Sequence, residues 1–215
     1  MTDKLTIYNG ALAKIGSRAL ASLAEQRESR RALDWAWAKG IPQGALQKGL
    51  WEWASRSVVI GYSDTIEPAF GLRRAFEKPD DFVRTLSLCT DEMFTAPLMQ
   101  FQYDKDYWYA DVDEIYVRYV SDDDELGMDL SRWPLDFATL VETMMAAEVC
   151  ERLTGGRLKK KDLEDRVDAL LLGAKNTAAA EGPGSKALPR GSWSRARLGG
   201  SAGLSDGGSR TQLIG

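Results

Sequence analysis

The sequence predicts an α+β fold: a mainly α-helical bundle of about four helices, a small antiparallel β-sheet insertion and an extended C-terminal tail. Apolar residues recur at helical spacing before residue 56 and after residue 121. Between these positions, short runs rich in β-branched and aromatic residues alternate with turn residues. The last 34 residues hold nine Gly and six Ser, a composition typical of extended segments. We therefore expect two parts, residues 1–181 and the tail at 182–215.

The first helix is predicted near the N-terminus. Its apolar residues recur at helical spacing: Leu5, Tyr8, Leu12 and Ile15. Thr2 can cap its first turn, and Gly16 can end it because glycine readily adopts the left-handed conformation.

A second helical pattern follows, and a proline interrupts it. Its apolar positions approximate one face: Leu33, Trp37, Leu46, Leu50 and Trp53. Because Pro42 has no backbone N–H, we expect a kink or two abutting helices near residues 39–42. The tryptophans here (Trp35, Trp37, Trp51 and Trp53) are expected to pack in the core or at the helix–sheet junction.

The β-rich insertion is predicted over about residues 56–121. Six candidate strands lie in it: SRSVVIGY, GLRRAF, FVRTLSL, PLMQFQY, DYWYADV and EIYVRYV. They predict one small, mostly antiparallel sheet, and the acidic SDDDELG at 121–127 is expected to end it as a solvated loop.

Two more helices are predicted after this loop. The first has Pro134 in its first turn and ends at the glycines 155–156. Its apolar stripe is Phe137, Leu140, Val141 and Met144, and that of the next helix is Leu163, Val167, Leu170 and Leu171. Both cysteines, Cys89 and Cys150, lie in apolar segments and are expected to be buried thiols.

The charge is unevenly distributed along the chain. The net charge is −4, but residues 182–215 contain five basic residues and one acid, so residues 1–181 carry about −8. An acidic body does not attract DNA, whereas the basic tail could contact an anionic surface. No membrane-length apolar run and no signal-peptide pattern are present, which predicts assembly in the cytosol.

The residue types argue against most enzyme classes. The chain has no histidine, which excludes Ser-His-Asp triads, Cys-His nucleophiles and His metal sites. Read as a calcium loop, residues 122–133 place Trp133 where the twelfth ligand, a carboxylate, belongs. No cofactor, no metal and no catalytic residue are expected. A hydrolase using Asp111, Asp113 or the acids at 122–125 is the remaining enzymatic alternative.

The tail contains one candidate binding element. Trp193 lies among Gly and Ser with Arg195 and Arg197 beside it, and Trp and Arg are enriched in binding hot spots. These three residues are expected either to anchor a partner or to fold back onto the bundle.

Five segments together resemble a known family. They are LTIYNGALAKIGSRALASLAE (5–25), LWEWASR (50–56), KPDDF (78–82), DFATLVETMMAAEVCERLTG (136–155) and GSWSRAR (191–197). Their order and spacing, over about residues 5–198, resemble the tail tubular protein A family, the head-to-tail adaptors of short-tailed bacteriophages. Lys78 departs from the pattern, because the family more often has an apolar residue before this proline.

The resemblance implies a structural virion protein. It implies a ring, expected to have twelve subunits, that joins the portal protein to the tail nozzle protein. DNA would leave through this ring without specific binding, and no membrane would be involved. The alternative from the residues is a cytosolic nucleic-acid-binding protein that uses the SRARLGG segment of its tail.

Overall fold

The computed structural model describes residues 2–68 and 71–181. It confirms the α+β class, because α-helices and small antiparallel sheets occur in the same chain. The predicted tail at 182–215 lies outside the described residues.

The helices and strands follow the predicted order. The helices are α1 (Lys4–Ile15), α2 (Glu28–Ala38), α3 (Ile41–Gln47), α4 (Leu135–Thr154) and α5 (Arg157–Glu181). The strands are β1 (Ser55–Gly61), β2 (Arg74–Glu77), β3 (Phe82–Cys89), β4 (Gln102–Tyr103), β5 (Tyr107–Ala110) and β6 (Glu114–Ser121).

The N-cap of α1 corrects one prediction. Asp3, not Thr2, caps the helix, and its Oδ1 accepts a hydrogen bond from the Thr6 backbone N–H at 2.7 Å. The N-cap residue directly precedes the first helical residue, and the helix begins at Lys4. Gly16 ends α1 with φ 73°, as predicted.

The predicted break in the second helix is confirmed. α2 ends at Ala38, Gly40 adopts φ 86°, and Pro42 lies in the first turn of α3, where its missing N–H leaves no hydrogen bond unmade. The predicted four helices are therefore five segments. Leu50 does not join the predicted apolar face, because α3 already ends at Gln47 and leaves Leu50 exposed.

α4 lies at the centre of the helical core, and each of the other four helices packs against it. Ten of its twenty residues are buried, so its apolar surface extends beyond one stripe. Cys150 is among them, and both cysteines are buried and free, as predicted.

The six strands form two sheets, so the prediction of a single sheet is wrong. The three-stranded antiparallel sheets have the orders β1-β6-β3 and β2-β5-β4. They share a second core, whose largest side chains are Phe76, Trp108 and Tyr119. Neighbouring strands in each sheet are therefore not always consecutive in the sequence, because strand pairing brings together the faces that form this core.

The β-rich insertion leaves and rejoins the helices at one place. Ser55, at the start of β1, pairs with Val120, near the end of β6. Val120 packs in the helical core, while Val117 of the same strand packs in the second core. β6 therefore connects the two cores.

A search of the described residues for a membrane-crossing helix found no segment with the required length and hydropathy.

Candidate interaction surfaces

The predicted anchor in the tail, formed by Trp193, Arg195 and Arg197, lies outside the described residues. Its role stays a prediction.

The candidate catalytic carboxylates do not meet in one site. Asp111 and Asp113 precede β6, while the acids at 122–125 follow it. Asp113 and Asp122 lie on either side of the eight-residue β6, so even these nearest members of the two groups are about 30 Å apart at roughly 3.3 Å per residue. Asp111 accepts the backbone N–H of Arg73 at 2.8 Å, and Asp113 lies 3.2 Å from the Arg74 guanidinium. Within residues 2–68 and 71–181 no cluster of metal-ligating side chains is present.

Asp81 is the centre of a polar network at the helix–sheet junction. Its carboxylate accepts hydrogen bonds from Arg56 at 2.9 Å, from the Tyr119 hydroxyl at 2.8 Å and from the Ser121 hydroxyl at 2.5 Å. Arg56 also contacts Asp123 at 3.2 Å. The network ties the start of β1 and the start of β3 to the end of β6. Asp81 belongs to the KPDDF segment, whose aspartate therefore has a structural role.

The network shifts the pKa values of Tyr119 and Asp123. Burial and the hydrogen bond to Asp81 raise the pKa of Tyr119 to about 12. The backbone N–H of Glu125 and the nearby Arg56 lower the pKa of Asp123. Both shifts favour the protonation states that the network needs at neutral pH, a neutral phenol and an ionised carboxylate.

The Tyr119→Phe substitution is expected to lower the free energy of unfolding by about 1.5 kcal/mol near neutral pH, because Asp81 loses a donor. The unfolded Tyr119 releases its proton near pH 10 but the folded one only near pH 12. The stabilising effect of Tyr119 is therefore complete below about pH 10 and falls as the pH rises towards about 12. Urea unfolding of both proteins across this range should show their stabilities converging. A difference that stays constant with pH would contradict this.

The tryptophans of the second helical pattern mostly pack as predicted. Trp51 is buried and donates its indole N–H to the Ala45 carbonyl at 3.1 Å. Trp53 packs edge-on against Phe137, with 4.9 Å between ring centroids. Trp35 differs, since 52% of it is exposed. It does not belong to the core.

Trp35 borders an open groove between α2 and α4. The groove has a volume of about 350 Å³, and Ala32 and Val149 lie on its floor. Ion pairs border it: Lys39 with Glu148, and Arg152 with Glu28. An apolar floor between paired charges is typical of a protein contact surface.

The second exposed apolar surface is the connection between β3 and β4, residues 90–101, here called the β3–β4 arm. A backbone hydrogen bond from Thr90 N to the Ala96 carbonyl closes the loop. The Asp91 carboxylate accepts the backbone N–H groups of Thr95 and Ala96. The arm is therefore a hydrogen-bonded loop with a defined conformation.

A phenylalanine in an uncommon conformation completes the arm. Phe94 has φ 54°, which bulky residues rarely adopt. The Arg118 guanidinium lies over its ring at 4.8 Å. The conformation turns the chain at the tip, where Met93 is 73% exposed; Met99, farther along the arm, is 85% exposed. Exposed methionines on a defined loop adapt well to a partner surface.

Lys78 occupies an aromatic cage. Its ammonium lies 4.8 Å from the Phe82 ring, 5.4 Å from the Tyr103 ring and 5.2 Å from the Trp108 ring, and it donates to the Asp104 carbonyl. Burial lowers its pKa. The aromatic faces and the carbonyl stabilise the cation.

Sequence reasoning did not find these surfaces. The PLMQFQY run is predicted as a strand, but only Gln102 and Tyr103 form one, and Met99 lies in the arm. The exposed Met93 is the signal that could have indicated a contact surface. A scan against protein-family models and a search of curated proteins each found no match to this chain.

Proposed function

We propose that this chain is the head-to-tail adaptor subunit of a short-tailed bacteriophage virion. In this function it forms a ring beneath the portal protein, joins it to the tail nozzle protein and encloses the channel through which DNA leaves. It has a structural role and no catalytic one.

Two cores with separate exposed apolar surfaces carry this proposal. The helical core presents the Trp35 groove, and the second core presents the β3–β4 arm. An adaptor ring needs contacts between its own subunits as well as with its partners, and a chain with separate exposed surfaces at two cores suits that task. Exposed apolar surface of this kind marks interaction sites in soluble proteins.

The segments of the resemblance supply a second support. LWEWASR contributes the buried Trp51, and KPDDF contributes Asp81, the centre of the junction network. The helix that resembles the family's penultimate helix is α4, against which the other helices pack. The segments that carry the resemblance therefore include α4 of the helical core and the polar network at the junction between the two cores.

The charge distribution fits passage of DNA. Residues 1–181 carry about −8, so phosphates moving through a channel would be repelled rather than held. The basic tail, with Trp193, Arg195 and Arg197, would anchor the adaptor on a partner.

The mass of the portal assembly tests the proposal. The portal protein from the same genome is mixed with the full-length chain or with a chain that ends at Glu181. The full-length chain is expected to add a stoichiometric layer, and the shortened chain is expected to bind at least tenfold more weakly because a Trp and Arg anchor is lost.

Each other outcome has a definite meaning. Equal binding by both chains supports the adaptor and refutes the anchor in the tail. Absence of any portal layer overturns the adaptor. RNA binding that is lost at Glu181 would then favour the alternative.

A further inference from the structure

We propose that the β3–β4 arm of one copy docks on a basic patch of the next copy in the ring. The basic patch consists of Arg18, Leu158, Lys159 and Lys161. This inference rests on the proposed function, since it names the surfaces through which adaptor subunits would meet.

The patch is assembled from the end of α1 and the start of α5. Lys159 donates to the Ile15 carbonyl at 2.6 Å and lies beside Gly16. Arg18 follows Gly16 by two residues, so it is near Lys159. Leu158 is 82% exposed, and Lys161 and Arg18 are exposed as well. Neither Arg18 nor Lys161 has an ion-pair partner among the described side chains.

The lysines do not stabilise the helix that carries them. The first turn of α5 has no acidic residue, and cations there oppose the helix macrodipole. Leu158 is exposed beside these charges, so its side chain adds no hydrophobic burial to the stability of the isolated chain. The combination fits a surface that is covered and neutralised by an acidic partner.

The arm has the complementary chemistry. Glu92 is exposed beside Met93, and within the described residues it forms no ion pair. Asp91 remains ionised near neutral pH, because hydrogen bonds from Thr95 and Ala96 lower its pKa. The arm thus presents carboxylates next to an apolar tip, and the patch presents cations around a leucine.

The two surfaces belong to different cores of the chain. The arm extends from β3 in the second core, while α1 and α5 pack against α4 in the helical core. A contact between unlike surfaces of identical subunits is heterologous, and its repetition closes into a ring when the rotation allows. The partner that docks on the basic patch is therefore a second copy of this chain.

Cross-linking tests the contact directly. A chain carrying both Leu158→Cys and Met93→Cys is treated with a short bis-maleimide, alone and on the portal. The two native cysteines are buried and free, so they are poor targets. We expect a ladder of covalent multimers. The matched control carries Leu158→Cys and Val59→Cys, since Val59 is also exposed but lies on β1. A ladder no stronger than that of the control, in solution and on the portal, overturns the proposal.

Charge reversal tests the chemistry of the contact. Lys161→Glu and Glu92→Lys are each expected to weaken self-association at least tenfold. An equal mixture should recover association with the two variants in equal amounts, because Glu92 meets Lys161 in one contact and the two substituted side chains, again of opposite charge, meet in the next. Lys161→Glu should leave the melting temperature unchanged or higher, which separates a lost contact from a folding defect. Lys105→Glu is the control at another exposed lysine. Mixtures that stay monomeric although the wild-type chain associates would contradict the contact.

The portal layer separates this inference from the proposed function. A stoichiometric layer without cross-links overturns the arm-to-patch contact and leaves the adaptor standing. Cross-links without a portal layer support the contact and overturn the adaptor.

Discussion

The Gly127→Ala substitution is expected to lower the free energy of unfolding by about 3 kcal/mol or more, a value at the upper end for overpacking. An added Cβ would lie 2.0 Å from the Ser121 carbonyl oxygen, which belongs to the backbone, and 3.1 Å from a Leu46 methyl group. The segment cannot easily move, because the Gly127 carbonyl accepts the Trp133 indole N–H at 2.9 Å. Gly127 is thus required for close approach of two backbones.

Urea unfolding followed by circular dichroism measures this effect. Gly44→Ala is the matched control, because a Cβ at Gly44 meets nothing within 4 Å and alanine favours the helix in which Gly44 lies. The control is expected to be as stable as the wild type or more so. A Gly127→Ala protein of wild-type stability would show that the backbones are not held at this distance.

The Asp81→Ala substitution is expected to lower the free energy of unfolding by about 3 kcal/mol, because Arg56 loses one of its two carboxylate partners and two hydroxyl groups lose their acceptor. The side chain of Asp81 is only 17% exposed, so water replaces these contacts poorly. The loss should appear as a lower urea midpoint with an unchanged slope.

Asp80→Ala is the control at the neighbouring, exposed aspartate. It removes the same charge but none of the network's hydrogen bonds, and we expect a change of less than about 0.5 kcal/mol. Equal losses in both variants would mean that net charge, rather than the network, explains the result.

Local chemistry explains why much of the fold could be predicted. The Pro42 break, the glycine caps and the six strands follow from backbone preferences that each residue has in any protein. The N-cap at Asp3 was missed because Thr2 and Asp3 both have capping side chains, and only the start of α1 decides between them.

The organisation of the sheets could not be predicted in the same way. β1 pairs with β6 and β2 with β5, and these choices depend on which faces meet in the second core. The β3–β4 arm was missed because residues 97–103 alternate like a strand although only Gln102 and Tyr103 form one, and because the loop at 91–96 is closed by the Asp91 carboxylate rather than by an apolar pattern. Contacts made between distant residues leave no periodic trace in the sequence.

The pairing of Ser55 with Val120 also has a consequence for the order of folding. The buried residues of the second core lie between Phe76 and Tyr119, so all of them are synthesised before α4. α1 must wait for α4, since Lys14 pairs with Glu142 across 128 positions of the chain. The β-rich insertion can therefore form during synthesis, and the helical core closes around its base afterwards.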